Sequence, residues 1–439
     1  MRWSTVHSVL SFGALGDGKT LNTAAIQSAI DCTSAEGGGV VFIPEGVFLS
    51  GAVFLKSGVS LRLDESAVLK GSADITDYPS SQTRFEGRTC FWPCALINAK
   101  DLDGLHVYGK GTIDGNGVPF YHAFWEKRRE AILQNKAFVN WEVPRPRLLF
   151  IEKCKHVSLE EFRLRNSGFW NIHLYDCDDV FVRGIDVASP HSGETRAAST
   201  DGIDIDACQH VVLCDSTFNV DDDCICLKGG KGPDALQLNR VTKDILVENC
   251  KVGFGHGVVT FGSEACHVED VMIRNLQVTG ENQLVRFKFR EDTDQHFEHI
   301  TFEDIDMIDG WVFSIRPWVN RQDEVLGNGL PSTIRNLVVR RVHARKVLSP
   351  GIIKAVPPLV TIENLRIEDV SITTRKEGKR KLDRHDVLEE ADEANPKQLR
   401  IQGVSSLTIK NLVIDRKAIG NQGGLLLGDE DIAMHNDLH

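Results

Sequence analysis

The chain has 439 residues, of which 41% are hydrophobic and 26% charged, the balance of an ordinary soluble protein and not of a disordered or low-complexity one. A net charge of −12 excludes a general nucleic-acid binder, which needs a basic face, and obliges any anionic substrate to find a local basic patch. No apolar run reaches the roughly 18 residues of a membrane-spanning helix, so no membrane partner is expected.

The opening "MRWSTVHSVLSFGALGDGKT" makes a poor signal peptide, because its apolar stretch is short and interrupted by His7, Ser8 and Ser11. The eleven cysteines are odd in number, and many lie inside apolar runs, which favours buried free thiols over a disulfide frame. Together these predict a cytoplasmic protein, with a periplasmic or secreted one that has lost its leader as the alternative. Cys90 and Cys94 have no second pair to complete a metal-ligand pattern. Asn22 is placed to N-cap a helix through "TAAIQSAIDCTSAEGGG", with Ile26 and Ile30 on one face and glycines ending it. Such a helix would cover the open end of a stacked fold. "FYHAFWEKRREAIL" (120–133) predicts a second helix, within an insert spanning about 118–146.

From residue 147 the chain repeats itself. "LLFIEKCKHVSLEEFRLRNS", "NIHLYDCDDVFVRGIDVASP" and "GIDIDACQHVVLCDSTFNVD" each carry a cysteine followed three residues later by valine: Cys154 and Val157, Cys177 and Val180, Cys208 and Val211. The spacing is 23 residues and then 31, the extra ones falling in the polar stretch 191–200. Further turns are expected at "DILVENCKVG", "DVMIRNLQVTG", "HITFEDIDMIDG", "TIRNLVVRRVHA", "TIENLRIEDVSI" and "LTIKNLVIDR". Short strands rich in β-branched residues, with Asn, Asp or Gly at corners and a period of about 20–30 residues, mark a solenoid. Leucine-rich repeats would instead show leucine at fixed offsets. The expected fold is all-β, a single right-handed parallel β-helix over 1–439, its coils about 4.8 Å apart. The stretch 374–398 is expected to be a solvated charged loop.

"VDDDCICLKGG" (220–230) sets three aspartates at the lip of an apolar run. Aligning "TDGIDID" (200–206) with "DDCICLK" (222–228) places Asp201 over Asp223 and Ile203 over Ile225, an offset of 22 residues or one coil. Strand alternation turns the isoleucines inward, and Asp201, Asp222 and Asp223 face one cleft only at a corner. The following coils add His256 between two glycines, then Arg286 and Lys288 alternating with Phe287 and Phe289. Taken singly, each has an ordinary structural explanation: a turn cap, a core histidine, a solvated strand face. Taken together they form a column of acids, an imidazole and two cations. Crowded carboxylates raise one another's pKa, which suits a general acid beside a general base. The adjacent cations suit a substrate bearing carboxylates.

These motifs resemble glycoside hydrolase family 28, the polygalacturonase family of pectin-degrading, pectin-lyase-like β-helix enzymes. "SFGALGDGKTLNTAAIQSAI" and "GTIDGNG" (111–117) are similar to its N-terminal segments. "STDGIDID" resembles its Asn-Thr-Asp motif, "DDC" (222–224) its paired aspartates, "GHG" (255–257) its Gly-His-Gly and "RFK" (286–288) its Arg-Ile-Lys. The sequence departs from the pattern at Ser199, Asp221, Phe261 and Phe287. The resemblance implies an inverting hydrolase of α-linked galacturonic acid, needing no cofactor or metal. Asp222 would be the acid, Asp201 and Asp223 would activate water, His256 would orient them, and Arg286 and Lys288 would bind the sugar carboxylate. Coil stacking alone suggests a carboxylate separation shorter than the roughly 6.5–9.5 Å usual for inversion. Trp170, His173, Trp311 and Trp318 are further candidates for sugar contact. If the insert and the 191–200 loop wall off the cleft, attack would come from the chain end. Two rivals are a calcium-dependent β-helix lyase, with the aspartates as metal ligands, and a non-catalytic carbohydrate-binding β-helix.

Overall fold

In the computed structural model the periodic apolar segments close into parallel ladders; residues 5–138, 140–317, 329–375, 398–418 and 425–427 are described. The chain forms two units, Met1–Asp222 and Asp223–His439.

The first unit is a stack of three-sided coils. One ladder runs from Val6–Ser8 through Gly39–Ile43, Val59–Leu63, Asp103–Gly109, Lys155–Glu160 and Asp178–Arg183 to Gln209–Cys214, all parallel. Val157, Val180 and Val211 are register partners along it, as the repeat predicts. Cys154, Cys177 and Cys208 are fully buried just before these strands, with the Cys177 amide 3.4 Å from Cys208 Sγ. A second ladder joins Asp17–Leu21 to Thr217–Asn219. A third stacks Val53–Phe54, Ile97–Lys100, Leu149–Glu152, Ile172–Tyr175 and Ile203–Asp206. Its inward residues are closed from solvent, Ile203 and Ile205 among them.

The helix Thr23–Ala35 follows Asn22 and buries Ile26 and Ile30. Asn22 does not cap it with its side chain. Its amide instead clamps an earlier turn, accepting from the Leu15 amide (2.7 Å) and donating to the Leu15 and Thr20 carbonyls (3.0 and 2.7 Å). The second helix spans Val118–Leu133 and buries Phe120, Tyr121, Phe124 and Ala131. One element was not expected: an antiparallel hairpin, Ser80–Phe85 with Arg88–Pro93.

The second unit continues the same design in two long ladders. One passes from Ile225–Lys228 through Val259–Phe261, Gln283–Phe289, Trp311–Pro317, Ser349–Lys354 and Leu399–Gln402 to Leu425–Leu427. The other passes from Thr242–Glu248 through His267–Val278, Gln295–Ile308, Ser332–Val347 and Val360–Thr374 to Leu407–Ile414. The strands of the second bend at residues in the left-handed region, among them Asn275, Asp304, Arg341, Asp369 and Asn411, with φ between 52° and 56°. Asn and Asp tolerate that conformation best. Here they also bond up the stack, Asn275 to Asn249 at 2.6 Å and Asn411 to Asp369 at 2.9 Å. Phe261 and Phe287, two departures from the family pattern, are register partners stacked at 4.2 Å with Phe297 edge-on, so both are core residues. Trp318 and most of the 374–398 loop lie outside the described residues.

Candidate active site

Asp223 opens the second unit and is 2% exposed. Strand Gln283–Phe289 buries Phe287 and Phe289 inward, which turns Arg286 and Lys288 to the opposite face, where both reach Asp223. Arg286 Nη1 donates to Oδ1 at 2.7 Å and Lys288 Nζ to Oδ2 at 2.9 Å. Burial pushes this carboxyl up, but Lys288 and Arg286, with His256 adding to them, hold it far below the usual carboxylate range. This departs from the expectation that crowding raises the pKa: at Asp223 two hydrogen-bonded cations outweigh burial. With each oxygen already engaged by a cation, Asp223 is poorly disposed to serve as a calcium ligand.

The backbone of Gly257 supports this arrangement. Its carbonyl accepts from the Cys224 amide at 2.8 Å. A Cβ at Gly257 would lie 1.9 Å from Thr260 Oγ1, 2.9 Å from Asp223 Oδ1 and 3.0 Å from Arg286 Cδ. Gly257→Ala is therefore expected to displace Asp223 and Arg286, lowering both thermal midpoint and turnover. Adding Thr260→Ala, which removes the tightest clash, should restore part of each; an unperturbed Gly257→Ala enzyme would contradict this packing.

In the first unit, Asp201 is 4% exposed and Asp222 is half-buried. The Asp201 backbone is held from the preceding coil, where the Asn171 amide and Nδ2 donate to its carbonyl at 2.9 and 3.0 Å. Ser199, two residues earlier, sits in the left-handed region (φ 53°), a conformation asparagine adopts more readily. Asp221 is not part of the acid set. It accepts from Arg196 Nε at 3.0 Å, and Arg196 lies over the Trp125 ring at 4.8 Å, while Trp125 Nε1 donates to the Arg196 carbonyl. The third aspartate thus fastens the 191–200 loop, and that loop fastens the helical insert.

The upstream strand face is roofed within the first unit. Outward-facing Phe150, His173, Asp204 and Asp206 are all at most 6% exposed. Arg84 of the hairpin makes a bidentate pair with Asp206 (2.8 and 3.0 Å), and His173 Nε2 approaches the same carboxylate at 3.4 Å. Arg147 binds His173 Nδ1 (2.7 Å), the Arg84 carbonyl (2.9 Å) and Thr83 Oγ1 (3.0 Å). Phe85, Trp92, Phe169 and Trp170 form one apolar cluster. Trp170 and His173 are therefore hairpin anchors, which corrects their candidacy for sugar contact. Trp311, 1% exposed and packed on Leu348 and Ile352, is likewise core.

Burial pushes the Asp206 carboxyl up, but Arg84 and His173 bring it down to about 2 from an ordinary 3.8. A lowered carboxyl contributes stability that is present above its unfolded pKa and lost as pH falls through the folded one. The contribution is roughly 2–3 kcal/mol at neutral pH, disappearing between about pH 4 and 2. Arg84→Met should cost about 3–5 kcal/mol in denaturant unfolding, because it strands a buried charge. Combining it with Asp206→Asn should recover much of that loss; equal losses in the single and double variants would refute the pair's role.

Sequence reasoning missed Asn171, Arg84, Asp206 and the pair Arg145 and Arg147. Arg145 is fully buried and donates to the Ala198 carbonyl at 2.6 Å, with its guanidinium over the Phe124 and Phe169 rings. Burial pushes it down to about 9, with Glu86, Tyr121 and Asp222 pulling it back up, so it stays cationic at neutral pH near Asp222. The available signal was "RPR" (145–147), two arginines flanking a proline directly before the apolar run "LLFI".

Comparison with known proteins gives a concordant picture. The profile described as Glycosyl hydrolases family 28 matches residues 32–313. The chain is 28% identical over 292 residues to a probable polygalacturonase of Vitis vinifera, covering 64% of this chain and 56% of that one. It is 27% identical over 319 residues to the exo-poly-alpha-D-galacturonosidase of Dickeya chrysanthemi, covering 64% and 52%. It thus spans little more than half the length of these relatives. Among solved structures, the exopolygalacturonase of Thermotoga maritima is similar with a TM-score of 0.78 at 23% identity, over 95% of this chain and 93% of that one. The family 28 exopolygalacturonase of Yersinia enterocolitica is similar at 0.74 and 22%, over 96% and 77%. These likenesses establish the fold as the right-handed parallel β-helix.

Proposed function

The chain belongs to glycosyl hydrolase family 28, and on that premise we propose that it hydrolyses α-linked galacturonic acid residues in polygalacturonan or rhamnogalacturonan-derived oligosaccharides, from the chain end and with inversion. Its main support is the buried Asp223 carboxylate, kept ionised by Arg286 and Lys288 against the Gly257 backbone. Asp222 donates a proton to the glycosidic oxygen as the sugar leaves. Asp223, with Asp201, takes a proton from the attacking water. A carboxylate held so far below the usual range is ready to receive a proton at any working pH, although it is a weak base for the same reason. The attack geometry therefore matters more than its basicity. His256 orients this set. A guanidinium has five donors and an ammonium three, so Arg286 and Lys288 can hold Asp223 and the substrate carboxylate together.

Exo action is supported by the roof in the first unit, where the hairpin and Arg147 cover the strand face that carries His173 and Asp206. The relative from Dickeya chrysanthemi is itself described as exo-acting. We place the enzyme in a reducing compartment, the cytoplasm, because all eleven cysteines are free thiols. Recovery of the native protein from a periplasmic or medium fraction would contradict that placement.

The test is one digestion of oligogalacturonides and rhamnogalacturonan fragments, with and without chelator, following new reducing ends, ultraviolet absorbance and product size. Monomeric product, no absorbance and indifference to chelator are expected, with the inverted anomer released first in NMR. Unsaturated product lost with chelator would mean a lyase. A ladder of intermediate lengths would mean endo action. No product would leave a β-helix that binds without cutting.

A further inference from the structure

A second cluster of chemically able side chains lies at the N-terminal cap, on elements that carry none of the acids above. His7 is on strand Val6–Ser8, while Cys32 and Glu36 are one turn apart at the C-terminal end of helix Thr23–Ala35. One ligand atom from each lies within 4.8 Å of the others. His7 Nε2 is 3.5 Å from Glu36 Oε2, and Cys32 Sγ is 3.5 Å from Glu36 Oε1. Ligands on a tetrahedron with bonds of about 2.0–2.3 Å are themselves roughly 3.3–3.8 Å apart.

Two further features favour a cation. Thr33 Oγ1 donates to the Ala29 carbonyl at 2.7 Å, so its 2.9 Å contact with His7 Nδ1 is one in which the imidazole donates. The proton on Nδ1 leaves the Nε2 lone pair facing the Glu36 carboxylate. This is the orientation that a hydrogen bond on the far ring nitrogen imposes on metal-binding histidines. The helix end also carries partial negative charge, and its last turn has no basic residue to offset it. Glu36 and Cys32 add to that charge when ionised. His7 and Glu36 are 20% and 50% exposed at the side chain, so an ion can reach them.

We propose that His7 Nε2, Cys32 Sγ and a Glu36 oxygen bind one zinc-class divalent cation, with water as the fourth ligand. The N, S and O donors suit zinc better than calcium or magnesium, which take oxygen alone. Binding requires the thiolate, so the Cys32 proton passes to the buffer. The ion would tie the first strand to the capping helix, a structural role separate from hydrolysis.

The experiment uses the full chain, stripped with chelator and titrated with Zn²⁺ alone by calorimetry, with Co²⁺ absorption as a second readout. One ion per chain is expected, with a thiolate-to-cobalt band and a thermal midpoint raised by the metal. Glu36→Gln, at an exposed position that threatens folding little, should weaken binding at least about tenfold, and Cys32→Ser should abolish the cobalt band. Thr33→Val, which touches no ion, should weaken binding about 10–100-fold by freeing the imidazole. Activity on oligogalacturonides should be unchanged in all three at temperatures where they stay folded. Absence of binding, or binding in Glu36→Gln and Cys32→Ser as tight as in the parent, would overturn the site and leave an ordinary His7–Glu36 ion pair.

Discussion

Asp222→Asn is expected to lower turnover on oligogalacturonides by about 10²–10⁴-fold while leaving the fold intact, the loss typical of removing a positioned proton donor. Asn keeps the shape of the side chain and can still bond to its neighbours, but it cannot deliver a proton to a leaving oxygen. Asp222 is half-buried, and the adjacent Asp221 already spends its charge on Arg196. The substitution leaves the Asp221–Arg196 pair that fastens the insert in place, and circular dichroism and the thermal midpoint should stay close to the parent. Asp221→Asn should behave oppositely, releasing Arg196 and the insert with a lower midpoint. Turnover within about tenfold of the parent for Asp222→Asn would remove it from the acid role.

Lys288→Met is expected to have the second large effect, on both stability and pH dependence. Asp223 lies far below the usual carboxylate range because Lys288 and Arg286 outweigh its burial. Its contribution to stability is therefore complete above the unfolded value of about 3.9 and is lost only in strong acid, as pH falls through the depressed folded value. Without Lys288, burial has less opposing it, and the folded pKa rises. Acid unfolding should begin at higher pH, and the acid limb of kcat/KM should move up with it. Breaking a buried pair costs about 3–5 kcal/mol, and Arg286 should keep the loss toward the lower figure. A pH–rate profile on a soluble, folded variant is the check. An unchanged acid limb would show that the ionisation of Asp223 does not govern the reaction.

By itself the sequence determined whatever repeats or is local. Val157, Val180 and Val211 recur because each coil must present an apolar residue to the same core, so periodicity reported the coils and their register. Helix 120–133 and the order of Asp201, Asp222–Asp223, His256 and Arg286–Lys288 were legible for the same reason. Tertiary structure decided whatever depends on one unrepeated meeting of distant residues. Arg84 and Asp206 are 122 positions apart, and nothing in either neighbourhood announces the other. That pairing turned Trp170 and His173 from candidate sugar contacts into buried anchors. Burial and ion pairing likewise separated three adjacent aspartates into a fastener for the insert, a half-buried acid and a carboxylate pinned by two cations. Electrostatic energy depends on the distance to partners and on the water excluded around them. Neither quantity is periodic, so neither could be read along the chain.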